Sequence, residues 1–399
     1  MTQDSKLPDG WQILCFDQFA ENIAERVDPA EADVEYYVGL EHLDPESLKI
    51  RRWGTPNDVK GTKLRFHKGD IIFGRRRFYQ RKVAVTEFDG ICSAHAMVLR
   101  ACESMMLQDL LPFFLQSETF FQRAMQISVG SLSPTINWRT LAQQEFTIPP
   151  LNEQRRIAEI LWAAETAIAR FEDALEQVRE LRRSTLTELT TSGLAVSSHK
   201  PTKIGNIPSH WEVVKVGVLL EICQYGLSIR ADDDGQYPIL RMMNIEDGVI
   251  VPNDIKYVNL SDEDFTAFQL EPGDILFNRT NSADLVGKIG IYRLDGDYVF
   301  ASYLVRLRVK RDLVLPEYLN YYLNSPLGQR RILSYATPGV SQTNINAHNL
   351  QKVLVPLPPH DEQKEIVAIL EHVDTSKQSI LEQLKTLRDL KSGLLSDLV

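Results

Sequence analysis

Cysteine is scarce in this chain. Cys15, Cys92, Cys102 and Cys223 are scattered through 399 positions and none forms a Cys-x-x-Cys pair. That argues against a zinc site or a disulfide framework and for reduced thiols. No apolar run approaches the roughly 18 residues of a membrane span. The opening MTQDSKLPDGW has no basic stretch followed by an apolar one, so no signal peptide is expected and a cytoplasmic location is. Catalytic signatures are missing as well. There is no glycine-rich loop ending in Gly-Lys-Ser/Thr, no His-Glu-x-x-His, no His cluster of metal-ligand spacing and no Asn/Asp-Pro-Pro-aromatic run. Glu362-Gln363-Lys364 matches the Glu-x-Lys string of nucleases, but it follows a Pro pair at a helix start, where that chemistry needs a strand beside another acid. No catalytic or metal-binding residue is assigned, and the chain reads as a non-enzyme.

What is present is an ordinary globular composition with an uneven charge. The chain is 43% hydrophobic and 25% charged, which excludes a disordered or purely coiled-coil chain. The net charge of −10 argues mildly against nucleic acid, but its distribution matters more. Residues 1–48 hold twelve acids and two bases, whereas residues 49–82 hold twelve bases and two acids.

The chain is a tandem duplication. Pro8 and Trp11 recur as Pro208 and Trp211, and Gly69–Phe73 (GDIIF) recurs as Gly273–Phe277 (GDILF). From Ile136 to Thr190 the sequence pairs without a gap with Ile345 to Val399, and 16 of the 55 pairs are identical. One register held through Pro-Pro, Glu-Gln and a helix is not chance. In each copy a Pro pair (Pro149-Pro150, Pro358-Pro359) stops a strand. Asn152 or Asp361 then offers an N-cap, and about 40 residues of helix formers would make a rod of roughly 60 Å.

The apolar stripe steps by four and three through Ile157, Leu161, Ala164, Ile168, Phe171, Leu175 and Val178, and through Ile366, Leu370, Val373, Lys377, Ile380, Leu384 and Leu387. That seam wants a partner helix. The two copies can bury their seams against each other as an antiparallel coiled coil, with the globular domains at opposite ends. Ile157, Leu161, Ile168, Phe171, Leu175, Ile366, Leu370, Ile380, Leu384 and Leu387 are therefore assigned to subunit assembly. Arg182 and Lys391, next along each seam, read chiefly as solvated flanks where the stripe drifts, with a pin of the helix register as the alternative.

The fold class is α+β, with two tandem globular domains each followed by a long helix. The boundaries are 1–150, the helix 151–194, linker and second domain 195–357, and the helix 358–399. Ile71–Phe73, Ala96–Leu99, Asp274–Phe277, Lys288–Tyr292 and Tyr303–Val309 read as strands, Leu110–Arg123 and Pro316–Leu333 as helices, and Gly193–Asn206 as a polar linker.

The basic stretch 49–82 is interleaved with Trp53, Phe66, Phe73, Phe78 and Tyr79, which suits a phosphate backbone and exposed bases. It is densest at Arg75-Arg76-Arg77. Three consecutive arginines cannot share one strand face, so a turn is expected. There Arg can reach guanine edges or phosphates. Lys63, Arg65, Arg75, Arg76, Arg77, Tyr79 and Lys82 are the candidate DNA contacts of the first half. A solvated run, or ion pairs to the acidic first 48 residues, is the plainer alternative. The matching stretch of the second half, Asn278-Arg279-Thr280-Asn281-Ser282, is less basic but rich in donors and acceptors. Its candidates are Arg279, Asn281 and Ser282, with Arg241, Asn244, Lys288, Gln342 and Asn344. The loops Gly130–Ser133 and Gly339–Asn344 read chiefly as helix-to-strand turns.

These residues resemble the specificity subunit of type I restriction–modification systems. The likeness rests on the Leu7–Trp11 and Ile207–Trp211 openings, the two Gly-Asp strands, GRRRFYQRKVAV at Gly74–Val85 with DGICS at Asp89–Ser93, and most of all on IPPLNEQRRIAEIL (Ile148–Leu161) and VPLPPHDEQKEIVAIL (Val355–Leu370). It spans essentially the whole chain. The resemblance implies two target-recognition domains, each reading half of an asymmetric, gapped DNA site. It implies helices that set the half-site spacing and dock two methylation subunits, with restriction subunits as further partners. It implies that S-adenosylmethionine, ATP and Mg are bound by those partners and none by this chain. No membrane partner is expected, since no apolar run is long enough to span one. Two other readings stay open. One is a coiled-coil scaffold that does not read DNA. The other is a specificity subunit whose partner fuses methylation and cleavage.

Overall fold

The computed structural model of the chain describes residues 7–45, 47–194, 198–282, 286–338 and 343–396. Two compact units emerge, Met1–Ala174 with Ile380–Val399 and Leu175–Ser379. Each holds a segment of both long helices, Leu151–Leu189 and His360–Ser396.

In the first unit, Gln12–Cys15 pairs antiparallel with Glu145–Ile148. A four-stranded antiparallel sheet orders Ala20–Asn22, Met97–Ala101, Ile71–Phe73 and Val83–Val85. A second sheet carries Arg26–Val27, Lys63–Phe66, Gly90–Cys92 and Tyr37–Val38. The core is aromatic: Phe16, Phe19, Phe113, Phe114, Phe120 and Phe146 are buried together, many edge to face.

The second unit repeats the plan. Glu212–Lys215 pairs with Leu354–Leu357. Leu220–Tyr225, Leu304–Val309, Ile275–Asn278 and Ile289–Ile291 form the matching antiparallel ladder. Trp211, Tyr318 and Tyr322 fill its core.

The repeated motifs are fold devices. Gly69 and Gly273 sit at φ +93° and +96°, backbone that favours glycine. The following aspartates close that turn: Asp70 accepts from His67 N at 2.7 Å and Asp274 from Glu271 N at 2.9 Å. Each aspartate is also held by two nitrogens of one arginine, Asp70 by Arg100 and Asp274 by Arg308. The Gln of each Pro-Pro-x-Asn/Asp-Glu-Gln element is fully buried and latches the helix start to its own domain. Gln154 accepts from Leu107 N at 2.8 Å and donates to Met105 O and Pro149 O. Gln363 accepts from Leu315 N at 2.8 Å and donates to Leu313 O and Pro358 O.

Four local expectations are corrected. Leu110–Arg123 and Pro316–Leu333 are each two helices, broken at Ser117 and Ser325. Both serines have extended backbone, and their hydroxyls accept from Phe120 N and Gly328 N, so each starts a new helix as its N-cap. The long helices begin at Leu151 and His360, directly after the prolines, so Asn152 and Asp361 lie in the first turn. Part of the supposed linker is a hairpin, His199–Thr202 with Gly205–Pro208.

The fourth correction concerns the seam. Arg182 and Lys391 are not solvated flanks. In the first unit, Lys391 Nζ donates to Glu165 at 2.6 Å with both side chains buried. In the second, Arg182 donates to Asp374 at 2.5 Å. The two pairs occupy equivalent positions of the repeat. With Glu172–Arg388, the Glu165–Lys391 pair shows the two helices running antiparallel in the first unit. Lys391→Ala should destabilise the chain by about 3 kcal/mol, because it strands a buried carboxylate. Adding Glu165→Gln should recover part of that loss, since an amide oxygen can still accept from Leu48 N, which Glu165 now caps at 2.8 Å. Urea denaturation of the single and double variants checks both.

Candidate nucleic-acid interface

In the first unit the strand Ile71–Phe73 delivers Gly74-Arg75-Arg76-Arg77 onto the loop before Ile136. Ile136 N donates to Arg75 O at 3.1 Å, Arg76 bridges Thr135, and Arg77 N donates to Pro134 O at 2.9 Å. Val129 bridges Thr135 in turn, so 129–135 is a small hairpin lying against the arginines. The second unit repeats the arrangement. Ile345 N donates to Arg279 O at 2.8 Å, and Thr280–Asn281 pairs antiparallel with Thr343–Asn344. The Gly130–Ser133 loop, expected chiefly as a turn, thus belongs to the first platform, and Thr343–Asn344 supplies the matching segment of the second.

Side chains on equivalent backbone differ in role. Arg75 donates to Ala94 O at 3.0 Å, and its counterpart Arg279 donates to Ser302 O at 2.9 Å while lying over the Tyr225 ring. These two arginines hold one loop to the next. Arg76 meets His95 Nε2 at 3.2 Å. Burial, together with the charges of Arg76, Arg75 and Lys63, holds the His95 imidazole below its usual pKa, so the neutral ring can accept from Arg76. Arg77 and Tyr79 are exposed. In the second unit, Asn281 contacts Met242 Sδ, Ser282 and Lys288 are exposed, and Asn344 donates to Thr280 Oγ1 at 2.7 Å. Gln342 lies outside the described residues.

Other candidates are engaged within the fold. Lys63 is buried and donates to Lys60 O and Gly61 O. Arg65 binds Ala32 O and Glu25, and Lys82 binds Leu40 O. Asn244 is fully buried, donating to Val251 O and Asn253 O, and Arg241 pairs with Asp254 at 2.9 Å. The acidic segment 1–48 therefore supplies partners for some of the basic stretch, Arg52 with Asp44 included.

The assembly residues need a parallel correction. Leu161, Ile168, Leu175, Ile366, Leu370 and Leu384 are buried within the chain, and Ile157, Phe171, Ile380 and Leu387 are partly so. These buried side chains offer no free surface to another subunit. Sequence reasoning missed a second apolar set on the same helices. Ile160 and Ile369 are 44% and 40% exposed, and Leu181 and Leu390 are 53% and 54% exposed. Each is the repeat equivalent of the other, identical in both copies. The signal was the identity itself: a large apolar residue kept twice outside the seam. Also missed were two exposed apolar residues of the 129–135 hairpin, Val129 at its base and Leu132 at its tip.

Among the described residues, no group of three or more His, Cys, Asp or Glu is placed to hold a metal ion, and no helix is long and apolar enough to cross a membrane.

The model of the type I restriction modification DNA specificity domain matches residues 54–178 and again 208–387. The chain belongs to that family. It carries two copies of the domain, and within the family it is a recognition component rather than an enzyme. The putative MjaX type I specificity subunit of Methanocaldococcus jannaschii is 35% identical over 203 residues, 50% of this chain but only 48% of that protein. The EcoKI specificity subunit of Escherichia coli is 27% identical, over 77% of this chain and 68% of its own length. The StySPI subunit of Salmonella potsdam is 26% identical over 89% and 76%.

Two solved structures share the fold of this specificity chain. The S subunit from M. genitalium aligns with a TM-score of 0.63 at 15% identity, covering 99% of this chain and 98% of that one. A chain from work on complex assembly and conformational transition of the type I R-M system aligns at 0.59 and 22% identity, covering 98% and 97%.

Proposed function

We propose that this specificity chain reads an asymmetric, bipartite double-stranded DNA site, one half through each loop platform, and does so in the cytoplasm. The observation that carries the reading is the pair of matched platforms with different side chains. Arg75-Arg76-Arg77 and Arg279-Thr280-Asn281 occupy equivalent backbone. One arginine of each set has the same structural task, and the positions after it diverge, as two readers of different sequences would. Arginine and asparagine are the residue types that pair with guanine and adenine edges.

The partners in this reading are two methylation subunits, with restriction subunits where they are encoded. They bind S-adenosylmethionine, ATP and Mg, and this chain binds none of these. Each unit docks one methylation subunit through exposed apolar residues, Ile160 and Leu390 in the first unit and Leu181 and Ile369 in the second. A residue kept in both copies of a diverged repeat, outside the core, suits one kind of partner taken twice.

Single-molecule sequencing of N6-methyladenine in the source genome, with and without the gene, tests the reading. Deletion should remove one gapped, asymmetric motif, and an unchanged methylation pattern would overturn the proposal. Arg77→Ala should weaken recognition of one half-site by about 1–3 kcal/mol, the worth of a bidentate base contact. Asn281→Ala should relax the other half-site alone.

A further inference from the structure

The 129–135 hairpin carries apolar side chains that bury nothing in the fold. Leu132 at its tip is 92% exposed, and Val129 at its base is 66% exposed. Gly130 turns the chain at φ +105°, and Ser131 and Ser133 flank the leucine. A single exposed leucine needs no explanation. This one stands on a loop tied by its backbone to the arginine platform, through Arg77 N to Pro134 O and through the Arg76–Thr135 bridge.

Arg77 is itself unusual. It adopts left-handed backbone at φ +54°, a conformation that costs a non-glycine residue free energy and that concentrates at functional sites. Its side chain is exposed and, among the described residues, forms no hydrogen bond or ion pair that would offset that cost. Glycine would fit this backbone better, so the guanidinium is there for something outside the chain.

We infer that Arg77 and Leu132 form a two-residue reader for a guanine and a thymine in neighbouring base pairs of the first unit's half-site. Arg77 takes the guanine O6 and N7, and Leu132 packs on the thymine methyl. That methyl lies only in the major groove, where guanine also presents both acceptors, so one approach serves both contacts. The short tether through Pro134 keeps the two side chains on adjacent steps. The inference rests on the proposal that this chain reads DNA.

The test uses the chain assembled with its methylation subunits, on duplexes containing the motif found by genome sequencing. Each thymine is replaced in turn by deoxyuridine, which lacks only the methyl, and each guanine by 7-deazaguanine, which lacks N7. In the first half-site, one deoxyuridine should weaken binding about fourfold, the worth of one buried methyl. One neighbouring 7-deazaguanine should cost on the order of tenfold. The first penalty should vanish in Leu132→Ala and the second in Arg77→Gly. Arg77→Gly should also melt no lower than the parent, since it relieves the backbone; that separates lost reading from lost folding.

The inference falls if the half-site contains no sensitive thymine, if the sensitive thymine and guanine are not neighbours, or if either penalty persists in its variant. An assembled complex with no sequence preference at all would overturn the proposed function as well. A complex whose preference is intact, but whose penalties are absent, overturns only this inference.

Discussion

Leu161→Asp and Leu370→Asp should each prevent the chain from folding, rather than release a folded chain from its partners. Leu161 is completely buried in the first unit's core, in the cluster that holds Phe16, Phe113 and Ala158. Leu370 is buried in the second unit's core with Trp211, Tyr318 and Ile366. Each substitution forfeits the burial of a leucine, worth about 1.5–3 kcal/mol, and strands a carboxylate with no partner, which adds several kcal/mol more. The sum reaches about 5 kcal/mol or above, the scale of a whole domain's stability. Circular dichroism and thermal melting check this. A chain that melts normally but fails to assemble would return these leucines to the partner surface. The contrast is Ile160→Asp and Leu181→Asp. Both side chains are exposed, so these variants should melt within about 0.5 kcal/mol of the parent while losing partner binding on size-exclusion chromatography.

That contrast marks how far the sequence could be read. A heptad seam identifies which residues a helix buries, but not whether the cover is another subunit, the other copy of the repeat or the helix's own domain. Here Leu161 is covered by its own domain, because Gln154 fastens the helix start to Leu107, Met105 and Pro149. The duplication, the Gly-Asp strands and the Pro-Pro-Glu-Gln element were legible because backbone geometry demands those residue types. They are fold devices, and they were enough to place the family. The reading surface was legible only in outline. Lys63, Arg65 and Lys82 look as available as Arg77 in sequence. Arg65 and Lys82 are engaged by groups 33 and 42 residues away, Ala32 O and Leu40 O, and no local pattern reports such pairing. In sequence Arg75 reads as a base contact, whereas in the structure Arg75 and its repeat equivalent Arg279 do the same internal work. Ser117 and Ser325 broke helices that periodicity alone had joined, since a serine inside a helical pattern gives no sign of turning extended.

Asp274→Ala should cost about 3–5 kcal/mol, the range for removing one partner of a buried ion pair. Asp274 is buried, and it holds Arg308 through two nitrogens at 2.8 and 2.7 Å while also accepting from Glu271 N. Its loss leaves the Arg308 guanidinium, only 20% exposed, with the solvent-facing Glu271 as its remaining carboxylate, beside the still more buried Arg306. The two like charges would then lose the one buried carboxylate near both of them, in a place with little water to screen them. The same change in the first unit, Asp70→Ala, should cost less. Arg100 is 41% exposed and can turn to solvent. Asp274→Asn should fall between parent and Ala, because the amide oxygen still closes the turn for Glu271 N but carries no charge for Arg308. Urea denaturation with a constant m-value checks the series. If Asp274→Ala and Asp70→Ala cost the same, burial of the arginine does not set the penalty, and the aspartate acts in both units mainly as the acceptor that closes the glycine turn. If both cost much less than 1 kcal/mol, the desolvation of each pair cancels its attraction, and the repeated Gly-Asp element is retained for the shape of the turn that leads into the reading strand.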